Sequence, residues 1–251
     1  MNKGERALIA KERKTHQRLR SAHLRSNSPV TALLPARVGQ ENVFEELDAP
    51  GEFFLDREAG KLYLMPNATT SISEDLRLAV LPRMIEVKGE ANGGAVVENI
   101  TISGLGLRDS AATYLGADWS APSGGDWALH RGGALFIEHA RGINVTRCRF
   151  KRLDGNALFL SRFTRDVSIE LNEFEWIGEN AIATWGETSG YDATEGAQPR
   201  FTTVQLNIMR ELGLWQKQSS AWAQAKSCHN TVRRNLMFNM PRAAINFNDN
   251  L

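Results

Sequence analysis

Ile169-Glu-Leu-Asn-Glu-Phe174 is one of five copies of a short strand-like pattern in this chain of 251 residues. The first residues of successive copies lie between 24 and 45 positions apart. The copies are Ile100-Thr-Ile-Ser-Gly-Leu105, Val145-Thr-Arg-Cys-Arg-Phe150, Ile169-Glu-Leu-Asn-Glu-Phe174, Val204-Gln-Leu-Asn-Ile-Met209 and Val232-Arg-Arg-Asn-Leu-Met237. Sequence periods of this length are typical of solenoids and other stacked arrays.

The fourth position of the pattern is Asn in three successive copies, at Asn172, Asn207 and Asn235. An amide repeated at one place in successive units predicts that each side chain hydrogen-bonds to the next at a recurrent bend. We therefore expect an internal asparagine ladder. Cys148 stands at the same position in an earlier copy, which predicts a buried free thiol there.

A second set of strand-like segments alternates with the first along the chain. Its members are Ala134-Leu-Phe-Ile-Glu-His139, Ala157-Leu-Phe-Leu-Ser-Arg162, Ala181-Ile-Ala-Thr-Trp-Gly186, Gly213-Leu-Trp-Gln-Lys-Gln218 and Ala244-Ile-Asn-Phe-Asn-Asp249. Apolar residues that alternate with period two favour strands over an amphipathic helix. The Leu-x-x-Leu-x-Leu frame of leucine-rich repeats is absent. The sequence therefore predicts an all-β fold, a parallel β-helix (β-solenoid) with one coil per repeat.

The coils and the segment Gly51-Glu-Phe-Phe-Leu-Asp-Arg-Glu-Ala-Gly-Lys-Leu-Tyr-Leu-Met-Pro66 resemble the right-handed parallel β-helix proteins of the pectate-lyase-like group. The segment is similar to a hairpin that precedes the coils in several β-helix glycoside hydrolases. The run from Lys217 to Asp249 is similar to right-handed β-helix proteins without an established activity. The resemblance covers residues 41 to 251. It implies a right-handed parallel β-helix preceded by a small β-hairpin module.

The same resemblance implies a carbohydrate-active protein whose partner is a polysaccharide or another glycan. It does not fix the reaction, because this scaffold hosts hydrolases, lyases, epimerases and binding modules. Family members place their sites on an exposed sheet face, in a groove that holds an extended polysaccharide. Relatives continue with further coils, so we expect this chain to be a fragment. The resemblance suggests an extracellular location, although the chain has no signal peptide and its localisation stays open.

Three regions are expected from composition and pattern. Residues 1–40 form a basic, disordered or helical leader, 41–82 a β-hairpin module and 83–251 the β-helix. The whole chain carries 30 basic and 29 acidic residues, which gives no reason to expect nucleic acid as a partner. The basic leader leaves one alternative, a nucleic-acid tail whose binding would depend strongly on salt. No apolar run approaches the 18 residues of a membrane span. The oligomeric state is not predicted.

Stacking of the second strand set predicts where functional side chains lie. Aligned on Leu135, Leu158, Ile182, Leu214 and Ile245, the set places two outward columns on one sheet face about 4.8 Å apart from coil to coil. The columns contain Glu138, Ser161, Trp185, Lys217 and Asn248, and beside them His139, Arg162, Gly186, Gln218 and Asp249. The mixture of acids, bases and an aromatic ring suits sugar recognition. A solvated sheet face carries a similar mixture, so a surface without function is the competing interpretation.

Two insertions, residues 109–132 and 186–200, flank the same strands and are predicted to wall a cleft. Trp119 and Trp127 in the first are candidates for stacking on sugars, or anchors of their own loop. The aromatic residues at 136, 159 and 215 would add stacking subsites. The substrate-binding residues predicted here are His139, Arg162, Trp185, Trp215, Lys217, Asp249, Trp119 and Trp127.

Glycoside hydrolysis requires two carboxyl groups that flank the scissile bond. Glu138 is the predicted catalytic residue, with Asp126 or Glu187 as its partner. A polysaccharide lyase or epimerase, using a base with Arg or Lys, is a further alternative, as is a non-catalytic glycan-binding or structural solenoid. No metal and no cofactor are predicted, because the histidines lack metal-ligand spacing and no phosphate-binding loop is present.

Overall fold

The computed structural model describes residues 43–56, 58–66, 78–91, 94–114, 116, 119–120, 128–190 and 192–248. The predicted basic leader therefore lies outside the described residues. The chain divides into two compact units between Arg77 and Leu78. In the described ranges, no helix is long and apolar enough to cross a membrane.

The first unit is a hairpin with one short helix. A 3₁₀ helix, Phe44–Glu46, precedes strands β1 (Phe53–Asp56) and β2 (Lys61–Leu64), which pair antiparallel. The Asp56 carboxylate accepts the backbone N–H groups of Glu58 and Ala59 and so closes the turn. The Phe44 ring packs edge-on against Phe54 at 5.3 Å and against Tyr63 at 5.0 Å. These three rings give the hairpin its own small apolar cluster.

The second unit is built from short strands, with two longer ones. Its strands are β3 (Ile85–Lys88), β4 (Val97–Glu98), β5 (Thr101–Ser103), β6 (Gly106–Ser110), β7 (Trp119–Ser120), β8 (Leu129–His130), β9 (Leu135–Thr146), β10 (Arg149–Leu153), β11 (Leu158–Glu170), β12 (Glu173–Ile177), β13 (Ile182–Trp185), β14 (Pro199–Arg200), β15 (Thr203–Gln205), β16 (Ile208–Leu212), β17 (Trp222–Ala225), β18 (Thr231–Arg233), β19 (Leu236–Phe238) and β20 (Ile245–Asn248). Except for β7 and β8, these strands pair parallel.

Successive coils stack in register. Strand β9 pairs with β11, β11 with β13, β13 with β17 and β17 with β20, all parallel. A second sheet runs in the order β19-β16-β12-β10-β6. The long strands β9 and β11 turn a corner at His139 and Arg162, where φ is 49° in both, and then continue into the pairing with β4, β5, β14 and β15. The chain is thus all-β with long parallel sheets, consistent with a β-solenoid.

One apolar core runs between the sheets. Leu135, Leu158 and Ile182 stack on one another from coil to coil and are fully buried. Val145, Ile169 and Val204, the first residues of three pattern copies, lie beyond the corner of the same sheet and belong to the same core, where they are equally buried. The period-two alternation of the sequence explains this, because every second side chain of a strand points to the same face.

The predicted asparagine ladder is confirmed. Asn172 Nδ2 donates to Asn207 Oδ1 at 3.0 Å, and Asn207 Nδ2 donates to Asn235 Oδ1 at 3.0 Å. The backbone N–H of Cys148 donates to Asn172 Oδ1 at 2.8 Å, and Cys148 is a buried free thiol. The ladder satisfies polar backbone groups at a bend that is closed to water.

A parallel ladder stands at another bend. Asn180 Nδ2 donates to Asn156 Oδ1 at 2.8 Å, and the backbone N–H of Ser220 donates to Asn180 Oδ1 at 2.8 Å. Asn156 in turn donates to the carbonyl of Gly132. Asn156 and Asn180 each end a glycine-containing stretch, residues 153–156 and 177–180, whose composition is typical of turns.

The predicted register of the fourth coil is wrong. The strand that follows β13 in the stack is Trp222–Ala225, and not Gly213–Gln218. Residues 213–218 form an insertion instead. The backbone N–H groups of Trp215 and Gln216 both donate to the Gly178 carbonyl, and Gly213 adopts a φ of 65°. Because Trp222 is fully buried beside Ile182, it fills the inward position that Leu214 was expected to fill.

Candidate functional site

The outer face of the β9–β11–β13 sheet is covered by protein. Phe136 is 3% exposed, Phe159 is fully buried and the two rings stack at 6.0 Å. Leu129 from the 109–132 insertion is buried in the same cluster, and the Arg83 guanidinium lies 3.9 Å from the Phe136 ring centre. The predicted stacking subsites at 136 and 159 are therefore wrong, because the insertion folds back and makes a second apolar core there.

Trp185 is also covered. The Arg131 guanidinium lies 4.1 Å from its ring centre, and Arg131 Nη1 donates to Ser161 Oγ at 3.0 Å and to the Trp185 carbonyl at 2.9 Å. Burial, with the nearby Arg162 charge, lowers the Arg131 pKa to about 10, so this residue stays charged at neutral pH. Trp185 is consequently an anchor for the insertion, and its predicted role as a sugar-stacking residue is not supported by its position.

A cleft opens at the corner that follows this sheet. It measures about 440 Å³ and is lined by loops and corners of four successive coils. The lining residues are Glu90, Ala91, Gly94, Val96, His139, Arg162, Phe163, Glu187, Glu195, Gly196 and Ala197. The predicted residues His139, Arg162 and Glu187 thus come together, as the stacking of coils implied. The 186–200 insertion supplies one wall, as expected of a loop beside these strands.

The left-handed backbone at His139 and Arg162 is a general feature of the bends in this fold and is not specific to the cleft. Non-glycine residues with positive φ recur at the bends of the other coils, for example at Arg147, Leu171, Leu206 and Arg234. The conformation therefore serves corner formation in general. At this corner it places two chemically active side chains one coil apart, on the same side of the stack.

Arg162 joins two glutamates at the cleft. Its Nη1 lies 2.8 Å from Glu138 Oε2, and its Nη2 lies 2.7 Å from Glu187 Oε1. Lys88 Nζ lies 3.3 Å from the other oxygen of Glu138. The Glu138 side chain is 2% exposed, whereas that of Glu187 is 49% exposed. Glu187 can meet a ligand, and Glu138 supports the guanidinium from beneath.

Both glutamates are held in the ionised form. Burial acts to raise the pKa of Glu138, but the hydrogen bond from Ser161 and the charges of Arg162 and Lys88 outweigh it and the pKa is lowered. The pKa of Glu187 is lowered chiefly by its hydrogen bond from Arg162. Hydrogen bonds to the charged form of a carboxyl favour that form. Neither residue is suited to deliver a proton at neutral pH.

His139 contributes an unsatisfied polar atom to this corner. Its Nε2 is buried and has no hydrogen-bond partner among the described residues, although the residue lines the cleft. A buried nitrogen without a partner is costly. A hydroxyl group of a bound ligand is a chemically suitable partner.

The remaining predicted site residues that the structure describes do not line this cleft. Trp215 Nε1 donates to Asp154 Oδ1 at 3.1 Å at a different bend, and Lys217 Nζ donates to the carbonyls of Gly213 and Leu214. Their predicted positions depended on a register of the fourth coil that the structure does not have. Trp119 Nε1 donates to the Thr113 carbonyl, which fits the alternative of a loop anchor. Asp126, Trp127 and Asp249 lie outside the described residues.

Two carboxyl groups of interest were missed by the sequence. Glu90 lines the cleft from the turn after β3, one coil before His139. The glycines at 89 and 94 mark that turn, but the first coil was not aligned with the second strand set. Glu179 is fully buried at another bend, where Thr113 Oγ1 donates to its Oε1 and its Oε2 has no partner within the described ranges. Burial raises the pKa of Glu179 to about 8.

No group of three His, Cys, Asp or Glu side chains in the described part of the chain is placed to hold a metal ion. The site is therefore described by its protein groups alone.

The chain is similar in fold to a solved glycoside hydrolase, with a TM-score of 0.60 and 17% sequence identity. The match covers 73% of this chain and 36% of that chain, so this chain spans about a third of its neighbour's length. No protein-family model matches the sequence, and no curated protein matches it. A likeness at this identity establishes the shared fold, and leaves activity to be argued from the residues of the cleft.

Proposed function

We propose that this chain is a right-handed parallel β-helix of the pectate-lyase-like type and that its corner cleft binds a glycan. The observation that carries the proposal is the cleft itself, where Glu90, Glu187, Glu195, Arg162 and His139 converge on about 440 Å³. Carboxylates accept hydrogen bonds from sugar hydroxyls, and a cleft of this size is in the range of small-molecule sites. The fold neighbour, a glycoside hydrolase, supports the same class of ligand.

The reaction proposed for this cleft is glycoside hydrolysis. Glu187, exposed and ionised, is suited to act as the base or nucleophile. The acid is assigned to Glu195 or Glu90, which line the same cleft. Glu138, the residue predicted to be catalytic, is too deeply buried to touch a substrate and is assigned a positioning role through Arg162.

A non-catalytic glycan-binding module is the second candidate. It is favoured by the ion pairs at the cleft, because one guanidinium holds both Glu138 and Glu187 in the ionised form. A hydrolase needs one carboxyl group that carries a proton at its working pH. If neither Glu195 nor Glu90 carries one, the cleft binds a glycan without cleaving it.

The test pairs binding with turnover on one panel of polysaccharides. The wild-type chain is compared with Glu187→Gln, Glu195→Gln, Glu90→Gln and, as a control remote in sequence, Glu58→Gln in the hairpin unit. New reducing ends that disappear in Glu187→Gln but persist in Glu58→Gln would support hydrolysis. Ultraviolet absorbance from an unsaturated uronate would support a lyase instead. Binding that all three cleft variants weaken, without any product, would support the module, and absence of binding would refute the proposal.

A further inference from the structure

We infer that the cleft selects sugars that lack a carboxylate and favours those that carry a protonated amine over their uncharged counterparts. This inference rests on the proposed function and names the substrate class of the same site. It excludes the uronates that a pectate-lyase-like scaffold would otherwise suggest.

The acidic groups face the cleft with their side chains accessible. Glu90, Glu187 and Glu195 all line it, and all three residues are exposed. Glu90 comes from the turn after β3, and Glu187 and Glu195 come from the 186–200 insertion, so a ligand in the cleft lies between the two segments. Like charges that line a concave surface sum to a potential that attracts the opposite charge.

The Arg162 guanidinium, which lines the cleft, already forms ion pairs with two protein carboxylates. Both terminal nitrogens of Arg162 are within 2.8 Å of protein carboxylates, one of Glu138 and one of Glu187. Arginine frequently recognises a carboxylate through two parallel N–H donors of the guanidinium fork, and both terminal nitrogens of Arg162 already serve protein carboxylates. Binding a uronate through Arg162 would break one of these pairs, and release of the buried Glu138 would be costly.

The neighbouring cationic side chains Lys88, Arg165 and Arg131 also have protein partners. Lys88 Nζ lies 3.3 Å from Glu138 Oε1. Behind the loop wall, Arg165 donates to the carbonyls of Gly196, Gln198 and Thr164. Arg131 donates to Ser161 and to the carbonyl of Trp185. Each of these cations holds the framework of the cleft and does not line it.

Among the described residues that line the cleft, a carboxylate on the ligand would therefore meet Glu90 and Glu195 in addition to the paired Glu187, and it would find no guanidinium outside an ion pair. A protonated amine in the same place has three N–H donors and a positive charge, both of which match carboxylate acceptors. An acetylated amine keeps the sugar ring, loses the positive charge and adds an acetyl group. The salt dependence of the preference then separates the effect of charge from that of the added bulk.

The experiment uses the full chain and three oligosaccharides of equal length, built from glucosamine, N-acetylglucosamine and galacturonate. Binding is measured by calorimetry at a pH where the amine is protonated, at low and at high ionic strength. We expect the glucosamine oligomer to bind about tenfold more tightly than the N-acetyl form and the galacturonate oligomer to bind most weakly. Salt should reduce the preference, since screening weakens interactions between exposed charges.

The double variant Glu90→Gln/Glu195→Gln is expected to lose the preference for the amine, whereas Glu58→Gln keeps it. Equal binding of the glucosamine and N-acetyl oligomers overturns the inference but leaves glycan binding standing. If the galacturonate oligomer binds as tightly as the N-acetyl oligomer, the inference is also overturned, while glycan binding still stands. If the wider polysaccharide panel yields a ligand while all three oligomers fail to bind, the inference is again wrong. If that panel yields none, the proposed function fails with it.

Discussion

Glu138 and Glu187 are joined by the two terminal nitrogens of one guanidinium, although one carboxylate is buried and the other lies at the mouth of a cleft. The pairing makes Arg162 both a wall of the cleft and the counter-ion of a buried charge. The two ion pairs must therefore contribute very differently to stability. That difference separates the structural part of the site from the part that is free to meet a ligand.

Arg162→Ala should destabilise the fold much more than Glu187→Gln. Removing the arginine leaves buried Glu138 with Lys88 as its remaining charge partner, and breaking a buried pair costs about 3–5 kcal/mol. Glu187 is half exposed, and pairs of that kind contribute about 0–1 kcal/mol. Urea denaturation at neutral pH measures both. Equal losses in the two variants would show that Glu138 is not dependent on Arg162.

The contribution of the Glu138 charge to the free energy of unfolding should disappear at acidic pH. Its folded-state pKa lies below the ordinary glutamate value of 4.5, so its stabilisation is present above that pH and is lost as the pH falls through the folded value. Glu138→Gln should therefore lie below the wild type in unfolding free energy near neutral pH. The gap should narrow steadily on going to more acidic solutions. A gap that stays constant with pH would indicate a packing effect instead of a charge effect.

The effect of Glu179 on stability should depend on pH in the opposite sense. Its folded pKa of about 8 exceeds the ordinary glutamate value of 4.5, so the folded state holds the proton more tightly and stability falls as the pH rises from about 4.5 through about 8. Glu179→Gln keeps an acceptor for Thr113 but cannot ionise. We expect this variant to match the wild type near pH 5 and to exceed it by a few kcal/mol above pH 8.

Thermal unfolding across this range measures the effect, with Glu58→Gln in the hairpin unit as the matched control. Parallel stability curves for wild type and Glu179→Gln would contradict the burial argument.

The sequence predicted the elements that repeat and missed those that do not. Asn172 and Leu158 were assigned correctly because each recurs at one position in several coils, and stacking then determines its neighbours. Trp215 and Lys217 were misplaced because Gly213-Leu-Trp imitates the start of a coil strand. Their segment is in fact held to the Gly178 carbonyl as an insertion.

The candidate site also contains residues that the repeats predicted and residues whose environment depends on an insertion. His139 and Arg162 were predicted together because they occupy one corner of adjacent coils. The burial of Phe136 and Phe159 was not predictable, since it depends on an insertion that folds back over the sheet and packs Leu129 there. Local alternation indicates which face a side chain points to, and says nothing about whether a distant loop covers that face.

The asparagine ladder supplies the sharpest test of the coil architecture. Asn207 accepts the backbone N–H of Asn172 at 2.9 Å and its Nδ2 at 3.0 Å, and it donates to the Ile169 carbonyl at 2.9 Å. Asn207→Ala removes these partners and leaves buried polar groups unsatisfied, each at about 1–3 kcal/mol. Asn144→Ala, at an exposed position on a neighbouring coil, serves as the control and should change stability by less than about 0.5 kcal/mol.

Chemical denaturation should show a loss of several kcal/mol for Asn207→Ala. Hydrogen exchange should show faster exchange at the amide of Asn172, which loses its acceptor, while the Cys148 amide keeps its bond to Asn172 Oδ1. A stable variant with unchanged exchange at Asn172 would mean that water can replace the amide at this bend. In that case the ladder would be a consequence of stacking and would not contribute to holding the coils together.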